Sequence, residues 1–481
     1  MARIWSDLQN NIFDFVSNGK GSAIVTAVAG SGKSTTVENA AKLVRGTSIV
    51  LAFNKAIAEE MKGRGVNART FHSVTYMPVT QAKKAGTVDM DKLKNICKNW
   101  LDRDDQRKYG YFIQRLVGLA RQTGIGCLVD DEPQAWQDIV DHHDLELEAT
   151  DARMHTAIDL ARQLLVISNK SKSVDFDDLL YFAVMENIRL PRFDVVFVDE
   201  AQDTNAIQRA IIKMMLKPGG RVIAVGDPAQ AIYGFRGADS DSIELIKQAF
   251  NCIELPLSIS YRCPKAVVNY ARQWVSHIQH TDVAEDGAVN EMGKTWKNSM
   301  FACGDLVVCR RTAPLVELCF SLIRDRVGAK VLGKDIGTGL KTLIRRMEPK
   351  SIDGLMDRLE KWVAKEERRL QDEDKPEKLQ VIRDRVDTIR ALVDGLGQSE
   401  RTINGLLKCI DEMFSDNENS CVILATIHKS KGLEADRVFW LDRAGCPANW
   451  SSKPWQVQQE KNLCYVATTR AKKALFTIEL K

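Results

Sequence analysis

The apolar run Ser22-Ala-Ile-Val-Thr26 leads straight into Ala27-Val-Ala-Gly-Ser-Gly-Lys-Ser34, a succession that few folds can use. Gly30, Ser31 and Gly32 let consecutive backbone N–H groups converge on phosphate oxygens at a helix N-terminus. Lys33 adds a charge for the β- and γ-phosphates, and the Ser34 hydroxyl is a ligand type for Mg²⁺. Ala29 lies in the same loop, and the first position of the usual eight-residue pattern is Ala27 rather than glycine. Such a loop needs a strand before it and a helix after it, which predicts an α/β lobe with its site at the strands' carboxyl ends.

The rest of the chain repeats that grammar. Ser48-Ile-Val-Leu-Ala-Phe53 leads to Asn54-Lys55, Val195-Val-Phe-Val198 to Asp199-Glu200, and Val222-Ile-Ala-Val225 to Gly226-Asp227. β-rich runs alternating with helical patterns predict a buried parallel sheet covered by helices. A second set, Asp305-Leu-Val-Val-Cys309, Cys421-Val-Ile-Leu-Ala-Thr426, Arg437-Val-Phe-Trp-Leu441 and Leu475-Phe-Thr-Ile478, predicts a second α/β lobe. The expected lobes are residues 1–76 with 179–256 and 257–335 with 418–481. Each is interrupted by a mainly helical insertion, 77–178 in the first and 336–417 in the second.

In the second insertion, Ile352, Leu355, Met356, Leu359, Trp362 and Val363 share one helical face. Leu379, Ile382, Val386, Ile389, Val393 and Leu396 form another stripe, and the charged stretch from Lys365 to Lys378, with Pro376, is expected as the turn between them. Asp175, Asp177 and Asp178, flanked by Phe176 and Leu179-Leu180, read as a helix start rather than a metal site.

A length of 481 residues exceeds one ordinary core. No window approaches the apolar length needed to cross a bilayer, and Asp7 and Asp14 interrupt any signal-like start, so a cytoplasmic protein is expected. The net charge of +4 is nearly balanced, so a local groove must carry any affinity for nucleic acid. Eleven cysteines without a Cys-x-x-Cys pair argue for reduced thiols, with no zinc or iron–sulfur cluster expected. His142-His143 lack ligand spacing and read as surface residues.

Asp199-Glu200 after four apolar residues supplies the second half of a nucleotide site. The aspartate would hold Mg²⁺ through water, and the glutamate would orient and deprotonate the attacking water. Gln230 would reach the γ-phosphate. Arg262 and Arg470, the latter in Tyr465-Val-Ala-Thr-Thr-Arg-Ala471, fall in the second lobe, and guanidinium groups brought to a transferring phosphoryl group stabilise its charge.

In order, the segments resemble those of the UvrD/Rep/PcrA-like DNA helicases of superfamily 1A, over nearly the whole chain. They are Gln9, the phosphate loop, Phe53-Asn-Lys-Ala56, Thr70-Phe-His-Ser73, Val198-Asp-Glu-Ala-Gln-Asp203 and Gly226-Asp-Pro-Ala-Gln-Ala-Ile-Tyr-Gly-Phe-Arg-Gly-Ala238. Tyr261-Arg262, Thr426-Ile-His-Lys-Ser-Lys-Gly-Leu-Glu434 and Tyr465–Ala471 complete the series. The resemblance implies two RecA-like lobes of P-loop NTPase type, with ATP and Mg²⁺ between them and single-stranded DNA across their tops. It implies an ATPase site of Lys33, Ser34, Asp199, Glu200, Gln230, Arg262 and Arg470. Tyr261 would stack on adenine, Gln9 would read its edge and Glu434 would approach the ribose.

Phe53, Asn54, Thr70, Phe71, His72, Tyr233, Phe235, Arg236, His428 and Lys429 would line the strand, with aromatic platforms gripping bases. For Phe71, core packing and a DNA platform stay equally open. The Thr-x-His-x-x-Lys-Gly-Leu-Glu pattern favours 3′→5′ polarity.

Three departures stand out. Thr35 replaces the arginine that family members commonly place against the base, Phe235 replaces the usual tryptophan, and the second insertion is shorter than in UvrD. The Phe-Asn-Lys segment looks nearer to viral and F-box-helicase relatives, although no F-box is expected before Gln9. The leading expectation is an ATP-dependent 3′→5′ helicase acting on single strands and duplex junctions. A translocase that strips bound proteins, or an ATP-gated interaction module, are the alternatives. The helical insertions would pack as ordinary hairpins, steady a duplex or bind a regulator. A monomer is favoured.

Overall fold

The computed structural model describes residues 4–143, 145, 147, 149, 151–232, 241–372, 376–414, 421–448 and 454–480. The chain divides into two compact units, one of Met1–Val28 with Gly32–Ser258 and one of Ala29–Ser31 with Ile259–Lys481. Each unit is built on a six-stranded sheet.

In the first unit the strands are β1 (Ala23–Ala27), β2 (Ser48–Leu51), β3 (Ala68–Arg69), β4 (Phe193–Val198), β5 (Leu216–Gly226) and β6 (Ile253–Leu257). They lie in the order β3-β2-β4-β5-β1-β6, every pairing parallel. Side chains alternate across the pleat. Ile24, Leu51, Val196, Val198, Val222 and Ala224 therefore enter one core, while Val25, Val50, Val195, Phe197, Ile223 and Val225 enter the core on the opposite face. Burial on both faces is why these strands read as continuous apolar runs.

The four apolar runs expected as strands are β1, β2, β4 and β5, whereas β3 and β6 were not anticipated. β3 is two residues long, and β6 carries Pro256 and the exposed Ile253. Neither has an apolar pattern that stands out from its surroundings.

Helices Phe71–Lys83, Lys92–Trp100, Arg103–Thr123, Pro133–His142, Met154–Lys170 and Asp178–Met185 fill the long connection from β3 to β4. Their apolar faces join the same core as one face of the sheet. The acidic segment before β4 does start a helix. Asp175 accepts from the Asp178 N–H, and Asp178 accepts from the Asp175 N–H, each at 2.9 Å. Arg121 pairs with Asp175 at 2.8 Å and with Asp178 at 3.0 Å, and Lys92 also pairs with Asp178, so the buried carboxylates are balanced.

In the second unit a short parallel pair, β7 (Ile259–Ser260) and β8 (Gln279–His280), precedes the main sheet. That sheet holds β9 (Ala288–Gly293), β10 (Leu306–Cys309), β11 (Ala329–Val331), β12 (Val422–Thr426), β13 (Ala435–Leu441) and β14 (Ala471–Ile478). Their order is β11-β12-β10-β13-β14-β9, again all parallel.

Between β11 and β12 run helices Lys334–Arg346, Ile352–Asp372, Pro376–Gly395 and Ile403–Met413. Ile352, Leu355, Leu359, Val386, Ile389 and Val393 are buried in the unit's core, as their spacing predicts. The expected turn over Lys365–Lys378 is corrected. The helix continues to Asp372, because Glu, Arg, Lys and Leu are good helix formers whether or not they are charged, and Pro376 opens the next helix at its first position. No helix among the described residues is long and apolar enough to cross a membrane.

Candidate functional site

β1 ends at Ala27 and the chain turns through Gly30 (φ +72°) and Gly32 (φ +76°) into helix Lys33–Lys42. Both glycines sit in the left-handed region that other L-residues avoid. No side chain caps this helix start, and the Ser31 Oγ is buried without a hydrogen-bond partner. A buried hydroxyl without a partner is costly, and here it lies beside backbone N–H groups of a helix N-terminus. That combination fits a phosphate group.

The carboxyl end of β4 supplies the acids. The Ser34 hydroxyl donates to Asp199 Oδ2 at 3.3 Å, and Lys33 Nζ lies 3.5 Å from Glu200 Oε1. Asp199 is buried, and burial with the neighbouring Glu200 charge pushes its carboxyl up to about 7 while Lys33 pulls it down. Glu200 adopts φ +51°, a strained left-handed conformation for a non-glycine residue, and its N–H donates to Asp199 Oδ1 at 3.1 Å. The hydroxyl and carboxylate oxygens form a hard donor set suited to Mg²⁺. Among the described residues no cluster of three or more His, Cys, Asp or Glu side chains has metal-site geometry, and all eleven cysteines are free thiols.

Gln230 is buried, and its Nε2 donates to Asp227 Oδ2 at 2.6 Å. The Asp227 N–H donates to Gln202 Oε1 at 3.0 Å, and Gln202 Nε2 donates to Glu200 Oε2. Burial holds the Asp227 carboxyl above its ordinary range, against Lys33 and Gln230, which lower it. Gln202 and Asp227 carried no assigned role from sequence. Their places after β4 and β5 were visible, but a bond from the backbone of Asp227 to a side chain 25 positions earlier was not.

Gln9 is buried with its amide engaged at both ends. Nε2 donates to Thr36 Oγ1 at 3.0 Å, and Oε1 accepts from the Ser6 N–H at 3.1 Å in the capping box of helix Asp7–Asn18. Thr35 is partly buried on helix Lys33–Lys42.

In the second unit the Tyr261 N–H donates to the Gly30 carbonyl at 2.8 Å, and the Ala29 N–H donates to the Tyr465 hydroxyl at 2.8 Å. The Tyr261 ring is 46% exposed, as a stacking platform needs. Arg262 Nε pairs with Glu434 at 2.6 Å. Arg470 is buried at the end of helix Pro454–Thr468, donating to the carbonyls of Val466 at 2.9 Å and Leu433 at 3.3 Å.

The residues expected along a nucleic-acid strand divide sharply. Phe53 is half exposed after β2. Asn54 and Thr70 spend their side-chain oxygens as N-caps, accepting from Ile57 N–H at 2.9 Å and Ser73 N–H at 3.2 Å. Of the two readings open for Phe71, its placement is that of core packing. It is only 6% exposed, because the first turn of helix Phe71–Lys83 directs it inward among Val74, Val79 and their neighbours.

His72 stacks on Phe176 with ring centroids 3.9 Å apart, and burial lowers its pKa to about 4. At that pKa the ring is uncharged at neutral pH. Phe176, half exposed and missed as a candidate, follows an acidic residue in a segment read only as a helix start. Lys429 pairs with Asp335 at 2.7 Å, and His428 is partly buried in the turn after β12. Tyr233, Phe235 and Arg236 lie outside the described residues.

The chain is similar to known DNA helicases over about half of its length. The profile of the UvrD/REP helicase N-terminal domain matches residues 8–251. A probable DNA helicase II homolog of Mycoplasma pneumoniae is 28% identical over 292 residues, covering 53% of this chain and 40% of the relative. ATP-dependent DNA helicase PcrA of Staphylococcus epidermidis is 24% identical over 294 residues, covering 54% and 38%. F-box DNA helicase 1 of Gallus gallus is 27% identical over 229 residues, covering 44% and 22%. The matched region thus spans well under half the length of these relatives.

Proposed function

This chain belongs to the UvrD/REP helicase family, and from that premise we propose that it is an ATP-hydrolysing motor that moves 3′→5′ along single-stranded DNA and separates duplex DNA. The observation that carries the reading is the cluster at the carboxyl ends of β1 and β4. There a partnerless buried hydroxyl and an uncapped helix start adjoin Lys33, which pairs with Glu200, and Ser34, which donates to Asp199, groups of the kind that bind a triphosphate and Mg²⁺.

Ser34 and Asp199 would hold Mg²⁺, which when bound neutralises charge on the β- and γ-phosphates. Lys33, resting against Glu200 before substrate arrives, moves its charge to the phosphates and leaves that carboxylate to accept a proton from the attacking water. Gln230 contacts the terminal phosphate. Arg262 and Arg470 of the second unit add guanidinium charge during transfer, where such groups are worth about 10³–10⁵ in rate. Tyr261 stacks on adenine, Gln9 reads its edge, and Glu434 exchanges its partner Arg262 for the ribose.

Residues 1–76 with 179–256 and 257–335 with 418–481 serve as the two motor lobes, and the insertions 77–178 and 336–417 offer surfaces to duplex DNA or a protein partner. Phe53, Phe235, Arg236, His428 and Lys429 grip the strand. We assign the motor to the cytoplasmic compartment and to a monomeric state.

ATP turnover measured with and without single-stranded DNA, beside Lys33→Ala, tests the proposal. Stimulation by the strand that is abolished in the variant is expected, and turnover indifferent to DNA would overturn the motor reading. Duplexes with 3′ or 5′ tails test polarity. Unwinding from the 3′-tailed substrate alone is expected, and strand-stimulated turnover without separation of either would leave a translocase.

A further inference from the structure

Gln202 hydrogen-bonds to both acid-bearing turns of the first unit. Its Nε2 donates to Glu200 Oε2 and its Oε1 accepts the Asp227 N–H at 3.0 Å, while Asp227 Oδ2 accepts from Gln230 Nε2 at 2.6 Å. Gln202 and Asp227 are both nearly inaccessible to solvent, at 2% and 1% exposure, so these bonds compete with no bulk water. An uncharged amide donates at one end and accepts at the other, so a single side chain can serve both turns.

The surrounding backbone is shaped to admit it. A Cβ on Gly226 would stand 2.6 Å from Gln202 Oε1 and 3.1 Å from the Gln202 nitrogen, so glycine at 226 leaves room for that amide. The carboxylate that Gln202 holds belongs to a residue with strained backbone, φ +51°, which a neighbour must keep in place.

We propose that Gln202 is a positioning residue for hydrolysis. One amide sets the register between the water-orienting carboxylate of Glu200 and the Asp227–Gln230 turn, so that both reach the reacting phosphate together. When Lys33 leaves Glu200 for the substrate, the Gln202 amide still donates to that carboxylate. This inference rests on the ATPase reading above. Misplacing a reacting group by about 1 Å can cost about 10²-fold in rate without weakening substrate binding, and that sets the expected effect.

The test is steady-state ATP turnover of the full chain with saturating single-stranded DNA, with nucleotide affinity measured separately by a fluorescent ATP analogue. Gln202→Met keeps the side-chain volume and removes both bonds. Gln202→Glu keeps the acceptor for the Asp227 N–H but loses the donor to Glu200. Gly226→Ala displaces the amide without removing it.

Each is expected to lower kcat by about 10–100-fold with KM and analogue affinity changed less than about threefold. Gln202→Met combined with Gly226→Ala should be no worse than the more damaged single variant, because both break one link. Wild-type kcat in Gln202→Met, or losses that simply multiply in the double variant, would overturn the positioning role while Lys33→Ala still abolishes turnover. A wild-type chain that fails to hydrolyse ATP would overturn the ATPase reading and this inference with it.

Discussion

His72 shows how one residue's environment resets its chemistry. Burial against Phe176 lowers its pKa to about 4 from 6.5. The unfolded chain therefore binds a proton between those values and the folded chain does not, so stability falls as pH drops through this window. Relative to His72→Phe, the natural protein should lose up to about 3 kcal/mol between pH 6.5 and 4 by chemical denaturation. A pH-independent difference would show that the ring is solvated. Asp199 and Asp177, pushed up to about 7 and about 6, have the opposite sign, which is why the comparison must be made within one pair of variants.

Lys429 is a second residue whose availability depends on its partner. Asp335 holds it at 2.7 Å on a largely exposed surface, and the lysine keeps that carboxyl below its usual range despite partial burial, which acts to raise it. If Lys429 grips a DNA phosphate, Asp335→Asn should tighten single-strand binding about two- to fivefold at low salt, measured by fluorescence anisotropy. Unchanged affinity would remove Lys429 from the strand-binding set.

At the scale of elements, helix Ala313–Arg324 starts without a cap of its own. Asp384, on helix Pro376–Gly395, accepts from the Thr312 N–H at 2.9 and 3.0 Å and from the Ala313 N–H at 3.0 Å. A borrowed cap ties the insertion to its lobe where periodicity alone showed only two apolar stripes. Asp384→Ala should cost about 1–2 kcal/mol and speed exchange of those two amides. Protection equal to the natural chain would mean the cap is dispensable.

Phe71 belongs at this scale too, because helix orientation decides its direction. Phe71→Ala should destabilise the first unit by about 3–5 kcal/mol, as a core cavity does. A well-folded variant with weakened DNA binding would restore the platform alternative. The strands β1, β2, β4 and β5 were legible because burial on both faces demands unbroken apolar runs. β3 and β6 were not, since two residues, or an edge strand with exposed positions, need no such run.

For the molecule as a whole, a net charge of +4 cannot by itself attract a polyanion strongly, so on the motor proposal DNA affinity is expected to come from local contacts and to fall steeply with salt. If the segment after Gln230 couples turnover to grip, Phe235→Ala should lose strand separation far more than basal ATP hydrolysis. Equal losses would count against coupling through that ring.

The glycine turn between β1 and its helix, the acids after β4 and the class of fold followed from residues close together in the chain, because strand periodicity and tight turns are local chemistry. The partners of Gln202, Asp335 and Asp384, the lowered pKa of His72 and the inward turn of Phe71 were decided by tertiary structure alone. Hydrogen bonding and desolvation act between groups that meet only after folding, and nothing in local spacing encodes which distant side chain will be met.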